Sequence, residues 1–404
     1  MRLPLIPILV IVLVNLLVDS YIYKVLKRRL KSLLLSRLQL WMSVALLVLI
    51  IVTILLPRRN CTNGMLLGIM WCLYTYFSFY IPKYIFVIVD LIAKVPRLFH
   101  RHRLKWLSSI GTVMAVLTFV AMWWGALVNR YDIDIKEVDV EIPNLPAQFD
   151  NYKIAQISDF HVGTYGNDTS YVADVVEQVN ALNPDLVVFT GDIVNSKTEE
   201  LEPHVSPLSR LTAPDGVFSI LGNHDYGDYS EWASPQAKQA NRDRMIQLQK
   251  AMGWQLLNNE TSIVYRGSDS IAVIGVENIG DPPFHVYGSL PKAYKNLNDS
   301  VTKILLSHNP AHWVDSISGH KDVNIPLTLS GHTHAMQMEI LGWSPAEYRY
   351  RTWGGLYADE NREHQLYVNI GVGTVGIPSR IGATPEITPV SYTHLRAHET
   401  KANL

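Results

Sequence analysis

The stretch Ser219–Tyr226 reads S-I-L-G-N-H-D-Y, an apolar run ending in an amide, an imidazole and a carboxylate. Asn, His and Asp are poor residues for a strand interior, yet they offer cation ligands and proton carriers. Four other apolar runs end in the same manner. Lys153–Ser158 leads to Asp159 and His161, Leu186–Thr190 to Asp192, Lys303–Ser307 to His308, and Pro326–Ser330 to His332 and His334. Within the pairs Asp159/His161 and His332/His334 the members are two apart, so extended backbone turns both to one side. Gly191, Gly222 and Gly331 precede these groups, where the chain has to turn sharply or approach another group closely. A single His at a strand end is ordinary core chemistry. Five ends behaving alike predict one cluster of N and O donors, suited to Mn, Fe or Zn without thiolate.

The elements that must position this cluster follow from hydrophobic spacing. The runs above, with Val217–Leu221, Ile271–Val276 and Leu366–Ile370, read as short strands. Val172, Val175, Val176, Val179 and Leu182 recur at helical spacing, and Gln236–Met252 is a second helix candidate closed by Gly253. Strands alternating with helices indicate an α/β domain. Such sheets bind ligands beyond the carboxyl ends of their strands, where the His and Asp residues fall.

A different class of sequence comes first. Leu3–Val18, Leu40–Leu56 and Leu107–Val128 are nearly uncharged and close to the length that crosses a bilayer. Gly64–Ala93 is longer, contains Pro82 and reads as one kinked span, giving an all-α module of four spans over residues 1–130. Lys83 and Asp90 share a face of that span and read as a snorkelling or loosely paired couple near the helix end, the alternative being charges that mark a functional pathway in the membrane. Lys24–Arg37 and Lys94–Lys105 are rich in Lys and Arg, whereas the loop between spans two and three has only Arg58 and Arg59. Positive loops stay cytoplasmic, so the soluble part is expected outside; a break at Pro82 would reverse this. Residues 1–130 carry 16 Lys and Arg against Asp19 and Asp90, while the rest carries 19 basic and 34 acidic residues. That acidic balance argues against nucleic acid as partner. Both cysteines, Cys61 and Cys72, lie in the apolar part, so cysteine usage sets no redox compartment and says nothing of oligomeric state.

D-x-H, G-D, G-N-H-D, a lone H and G-H-x-H, in this order over about Tyr152–Thr388, resemble the calcineurin-like metallophosphoesterases, and their membrane-anchored bacterial branch. The resemblance implies a two-sheet sandwich flanked by helices, in a domain spanning 152–388 after a linker at 131–151. It also implies two divalent or trivalent metals, one on Asp159, His161, Asp192 and His334 and one on Asp192, Asn223, His308 and His332. A metal-bound hydroxide would attack phosphorus in line, His224 would serve the leaving oxygen, and Asp225 would orient and charge His224. The substrate class is a phosphomonoester, phosphodiester or diphosphate, and the anchor favours a lipid or envelope compound. That branch includes hydrolases of acylated sugar-nucleotide lipids, a cytoplasmic substrate at odds with the outward topology.

Arg349, Arg351 and Arg380 follow the last His pair and are expected to grip phosphate, since guanidinium binds two oxygens at once. A non-catalytic metal-binding sensor or transport partner, and a nuclease, are the alternatives; the intact ligand set and the acidic balance weigh against them. Val390–Thr400, V-S-Y-T-H-L-R-A-H-E-T, back-translates onto a transposase-type sequencing adaptor, so 389–404 are expected not to be native sequence.

Overall fold

The apolar runs become two sheets because their alternate residues face two different cores. The computed structural model describes residues 5–29, 31–57, 61–142, 144–281 and 285–393. Arg58, Arg59, His394 and His398 lie outside the described residues. Two units form: Met1–Val128 with Gly376–Ser379, and Asn129–Val375 with the chain from Arg380.

In the second unit the strands are β1 (Asp134–Ile135), β2 (Val138–Glu141), β3 (Lys153–Ile157), β4 (Leu186–Phe189), β5 (Val217–Ser219), β6 (Gln255–Leu256) and β7 (Glu260–Arg266). Then come β8 (Asp269–Gly275), β9 (Lys303–Leu306), β10 (Leu327–Ser330), β11 (Gly355–Ala358), β12 (Gln365–Val368) and β13 (Glu386–Thr393). One sheet runs β1-β13-β3-β4-β5-β6 with β2 also on β13, and the other β11-β12-β10-β9-β8-β7. Ile154, Leu186, Val188 and Phe218 of the first sheet pack on Val273, Ile304, Leu306, Leu327 and Leu329 of the second. Their neighbours Ala155, Val187 and Phe189 face the other way, onto Val172, Val175, Val176 and Val179 of Ser170–Ala181 and Met245 and Leu248 of Pro235–Ala251. Strands buried on both faces read as continuous apolar runs, which is why these were visible in the sequence. β3-β4-β5 and β8-β9-β10 are parallel, so each trio ends at one edge.

The edges differ from expectation. β1 and β2 lie inside the supposed linker and pair in parallel with β13. β13 itself runs through Pro389–Thr393, pairing Val390 with Ile154 and burying Val390 and Tyr392 completely. The alternation V-S-Y-T suits a strand buried on one face, so these residues complete the sheet although they belong to the stretch read as adaptor.

The first unit holds α1 (Leu5–Arg29), α2 (Leu33–Leu55), α3 (Asn63–Ile92) and α4 (Lys105–Leu127), all apolar and long enough to cross a membrane. Pro82 lies inside the single helix α3. Lys83 and Asp90 do not pair with each other; seven residues apart, they stand two turns distant. Lys83 Nζ meets Asp19 Oδ1 at 2.9 Å and Ser43 Oγ at 2.8 Å, with Gln39 and Tyr80 also donating to Asp19. Asp90, fully buried, gathers Arg29, Arg103 and Lys94. The first apolar run ends at Val18, but α1 continues through Asp19 to Arg29. Each carboxylate thus has a cationic partner within the helical unit, where a lone charge in hydrocarbon would be costly.

Candidate metal centre

Five strands that end at the shared edge each deliver a polar side chain within a few residues. β3 is followed by Asp159 and His161, β4 by Asp192, β5 by Asn223 and His224, β9 by His308, and β10 by His332 and His334. The chain must bend hard there, and Asp159, His161, Asp192, His332 and His334 all have φ between +46° and +77°. Such backbone costs of order 1–3 kcal/mol per residue and persists where surrounding structure over-determines it. Two glycines make room: a Cβ at Gly222 would strike the Asp192 carboxylate, and one at Gly331 would strike Ser158 and Asp159.

The donors fall into two groups, Asp159/His161/His334 and Asp192/His308/His332, each with ligand atoms within 4.8 Å of one another. His334 Nε2 lies 3.1 Å from Asp159 Oδ1 and 3.0 Å from His161 Nε2. His161 Nδ1 donates to Val194 O at 3.1 Å, which leaves its Nε2 lone pair facing His334 Nε2, a contact that either one shared proton or a cation satisfies. Asp192 links the groups, with Oδ2 at 3.2 Å from His308 Nε2 and 3.6 Å from His161 Nε2. His332 Nδ1 sits 3.3 Å from His308 Nε2. The buried oxygen Asn223 Oδ1 has no hydrogen-bond partner, while its amide nitrogen donates to Tyr229 Oη at 2.8 Å. An orphaned oxygen, an anionic bridge and facing imidazoles are a donor set that fits two cations.

Residues 152–336 match the family described as calcineurin-like phosphoesterase, and residues 1–130 match its probable transmembrane domain. A transmembrane protein with metallophosphoesterase domain from Danio rerio is 32% identical over 69% of this chain and 62% of its own length. The metallophosphoesterase YkuE of Bacillus subtilis is 33% identical over 63% of this chain and 84% of its own. The chain belongs to the calcineurin-like metallophosphoesterases. UDP-2,3-diacylglucosamine pyrophosphatase LpxG of Chlamydia trachomatis is 26% identical over 66% of this chain and 91% of that one. This metallophosphoesterase spans 56–62% of the length of the fish, cattle and nematode relatives it matches.

The groups around the centre are placed differently from expectation in two cases. Asp225 does not touch His224. Its carboxylate is fully buried and accepts backbone N–H groups from Gly222, Asp192 and Ile193 at 2.9 Å and Val194 at 3.3 Å. It fastens the β4 and β5 ends together. Burial, with the Asp192 charge adding, pushes its carboxyl up to about 7. Asp225→Ala strands four buried donors, so it is expected to lower the stability of the full chain by at least about 3 kcal/mol. A denaturant midpoint equal to wild type would contradict this.

His224 is held instead by a backbone carbonyl: its Nδ1 donates to Asn195 O at 2.6 Å. Its ring stacks on Tyr229 with centroids 4.3 Å apart. Asn195 is kept in place by Glu200, whose buried carboxylate accepts the N–H groups of Asn195, Ser196 and Lys197. No side-chain pattern announces a carbonyl acceptor, so Asn195 could not be read from sequence. Tyr350, whose Oη lies 2.9 Å from His332 Nε2, was likewise missed among several aromatics.

Arg380 is the second correction. It is completely buried and donates to the carbonyls of Gly373, Ala383, Ile370 and Gly371 at 2.8–3.0 Å, with His334 Nδ1 at 3.3 Å. Its fork is spent on backbone, leaving none for phosphate. Arg349 is exposed and pairs with Asp281 at 2.9 Å, and Arg351 is exposed.

The histidines differ in proton affinity. Burial, then the charge of His308, holds His332 down to about 3, and burial, then His224, holds His161 well below its usual range. Burial is the largest influence and disfavours a charge on His308, but the charge and hydrogen bond of Asp192, the Asp159 charge and the Thr190 carbonyl together outweigh it and push His308 up to about 9. In the metal-free protein that proton stabilises the fold below about pH 6.5, and the contribution is lost as pH rises through about 9. A cation taking His308 must displace it. Metal affinity is therefore expected to climb by up to about tenfold per pH unit between about 6.5 and 9 and then level off. A chelator-competition titration across this range checks it; a flat profile would contradict it.

Proposed function

We propose that this chain is a membrane-anchored phosphohydrolase that cleaves a lipid-borne phosphate ester or diphosphate with two metal ions. The observation carrying the reading is the pair of ligand groups joined by Asp192 with His224 beside them. One ion is assigned to Asp159, His161, Asp192 and His334, the other to Asp192, Asn223, His308 and His332. Mn, Fe and Zn all suit these donors.

Bound cations supply an activated water and a clamp on the phosphoryl oxygens. The protein does the rest. With Nδ1 committed to Asn195, His224 has Nε2 as the atom that serves the leaving oxygen. The Tyr229 ring fixes the plane of that imidazole, and Tyr229 Oη takes the Asn223 amide N–H, which leaves the Asn223 oxygen available to a cation. Arg349 and Arg351 are assigned to contacts with the outer part of the substrate, Arg349 by exchanging Asp281 for phosphate. The name of the LpxG relative, a pyrophosphatase of a diacylated sugar nucleotide, supports a lipid-borne diphosphate. The four spans and their basic connections support a catalytic domain outside the cytoplasm.

The test uses the full chain in detergent with bis-p-nitrophenyl phosphate, then with an acylated sugar-nucleotide diphosphate and with phosphatidic acid. Nitrophenolate release that needs Mn, Fe or Zn and stops with EDTA is expected. Absence of hydrolysis with every metal and all three substrates would overturn the reading.

A further inference from the structure

Between the ligands His332 and His334 and the ring of Tyr350 the chain throws out a small hairpin. Ile340 and Trp343 exchange both backbone hydrogen bonds, at 2.8 and 3.1 Å, around the two-residue turn Leu341-Gly342. Both turn residues have positive φ, +52° and +79°. Such turns call for Asn or Asp followed by Gly, and a bulky apolar residue in the first place is uncommon. Here it is Leu341, and it is 102% exposed.

The residues around the tip are of one kind. Met336, Ile340, Trp343 and Tyr348 are all exposed, and Trp343 meets Tyr348 edge-on at 6.0 Å. The base, by contrast, is tied down: Glu339 N donates to Ile381 O, Ile381 N to Gln337 O, and Ser344 Oγ to Ala335 O at 2.6 Å. A firmly held projection with an aliphatic tip and an aromatic collar has the composition of an interfacial membrane anchor, aliphatic groups inward and Trp and Tyr at headgroup level. The chain also keeps this domain near a bilayer. α4 ends at Leu127 and β1 begins at Asp134, so the tether reaches at most about 25 Å.

The geometry points to the Leu341 hairpin as a finger that dips into the bilayer surface. The occupant of its apolar tip is the lipid interface itself. This brings the segment carrying His332, His334 and Tyr350 to the level of lipid headgroups, where a lipid-borne ester presents its phosphate. The insertion stands apart from the catalytic reading and holds or fails without it.

The test places a nitroxide on Leu341→Cys in a Cys61→Ala, Cys72→Ala background, with the full chain in nanodiscs of equal parts phosphatidylcholine and phosphatidylglycerol. A label at Tyr265→Cys, an exposed position on β7, is the control. The oxygen-to-nickel-chelate accessibility ratio at Leu341 is expected to exceed the control by about tenfold, as for a residue below the headgroups. A label open to nickel chelate would overturn the finger. So would one shielded from both reagents, the mark of contact with a second copy.

Leu341→Asn supplies a second readout, because Asn suits the turn and the variant folds. Its turnover of a bilayer-embedded ester is expected to fall while that of bis-p-nitrophenyl phosphate holds. Equal loss on a monomeric short-chain lipid ester would assign the tip to the substrate's acyl chain instead and overturn the finger. Failure of all hydrolysis by the parent protein would refute the phosphohydrolase and leave the depth measurement standing.

Discussion

Asp192→Asn is expected to strip both cations from the protein and to lower kcat/KM by at least about a thousandfold, or about 4 kcal/mol. The carboxylate sits between the two groups, near His308 Nε2 and His161 Nε2, and is the one anion that both can share. Replacing it by an amide leaves two cations with only Asp159 as counter-charge. The fold is expected to survive. Asn tolerates the φ of +60° found here, and its side-chain oxygen can still accept the His224 N–H now given to Asp192 Oδ1 at 2.8 Å. Metal content by plasma emission, alongside turnover, checks this. A variant that holds two ions with near wild-type rate would show that Asp192 is not the bridge.

His224→Ala separates the role proposed for His224 as acid from metal binding. None of the two ligand groups includes His224, and its ring is held by Asn195 and Tyr229. Loss of the imidazole is therefore expected to leave metal content unchanged and to cut kcat by about 10²–10⁴-fold, the range for a general acid. The loss should shrink as the leaving group becomes more acidic, because a good leaving group needs no proton. An aryl phosphate series measures that slope. Equal losses along the series would assign His224 to binding instead.

Much of this site was legible because its signals repeat. Asp159/His161, Asp192, Asn223, His308 and His332/His334 each end an apolar run, and parallel strands bring such ends together without any knowledge of contacts. Asp225 and Arg380 misled for a common reason. Their residue types announce chemistry, but their partners are backbone groups, and a sequence does not display where N–H and C=O groups converge. Asn195 is the converse case, a residue acting through its carbonyl. β7, β11 and the two strands at 134–141 were hidden because edge strands half-exposed to solvent carry mixed residues. In the membrane unit, Asp19 interrupted the hydropathy of α1 although Lys83 neutralises it from α3, a contact between helices that no window along one helix reveals.

The most direct measurement is anomalous diffraction from crystals of the chain loaded with manganese. The dinuclear centre requires two peaks about 3.5–4 Å apart, with Asp192 touching both, Asp159, His161 and His334 on one side, and Asn223, His308 and His332 on the other. A single peak, or two peaks that do not share Asp192, would contradict it.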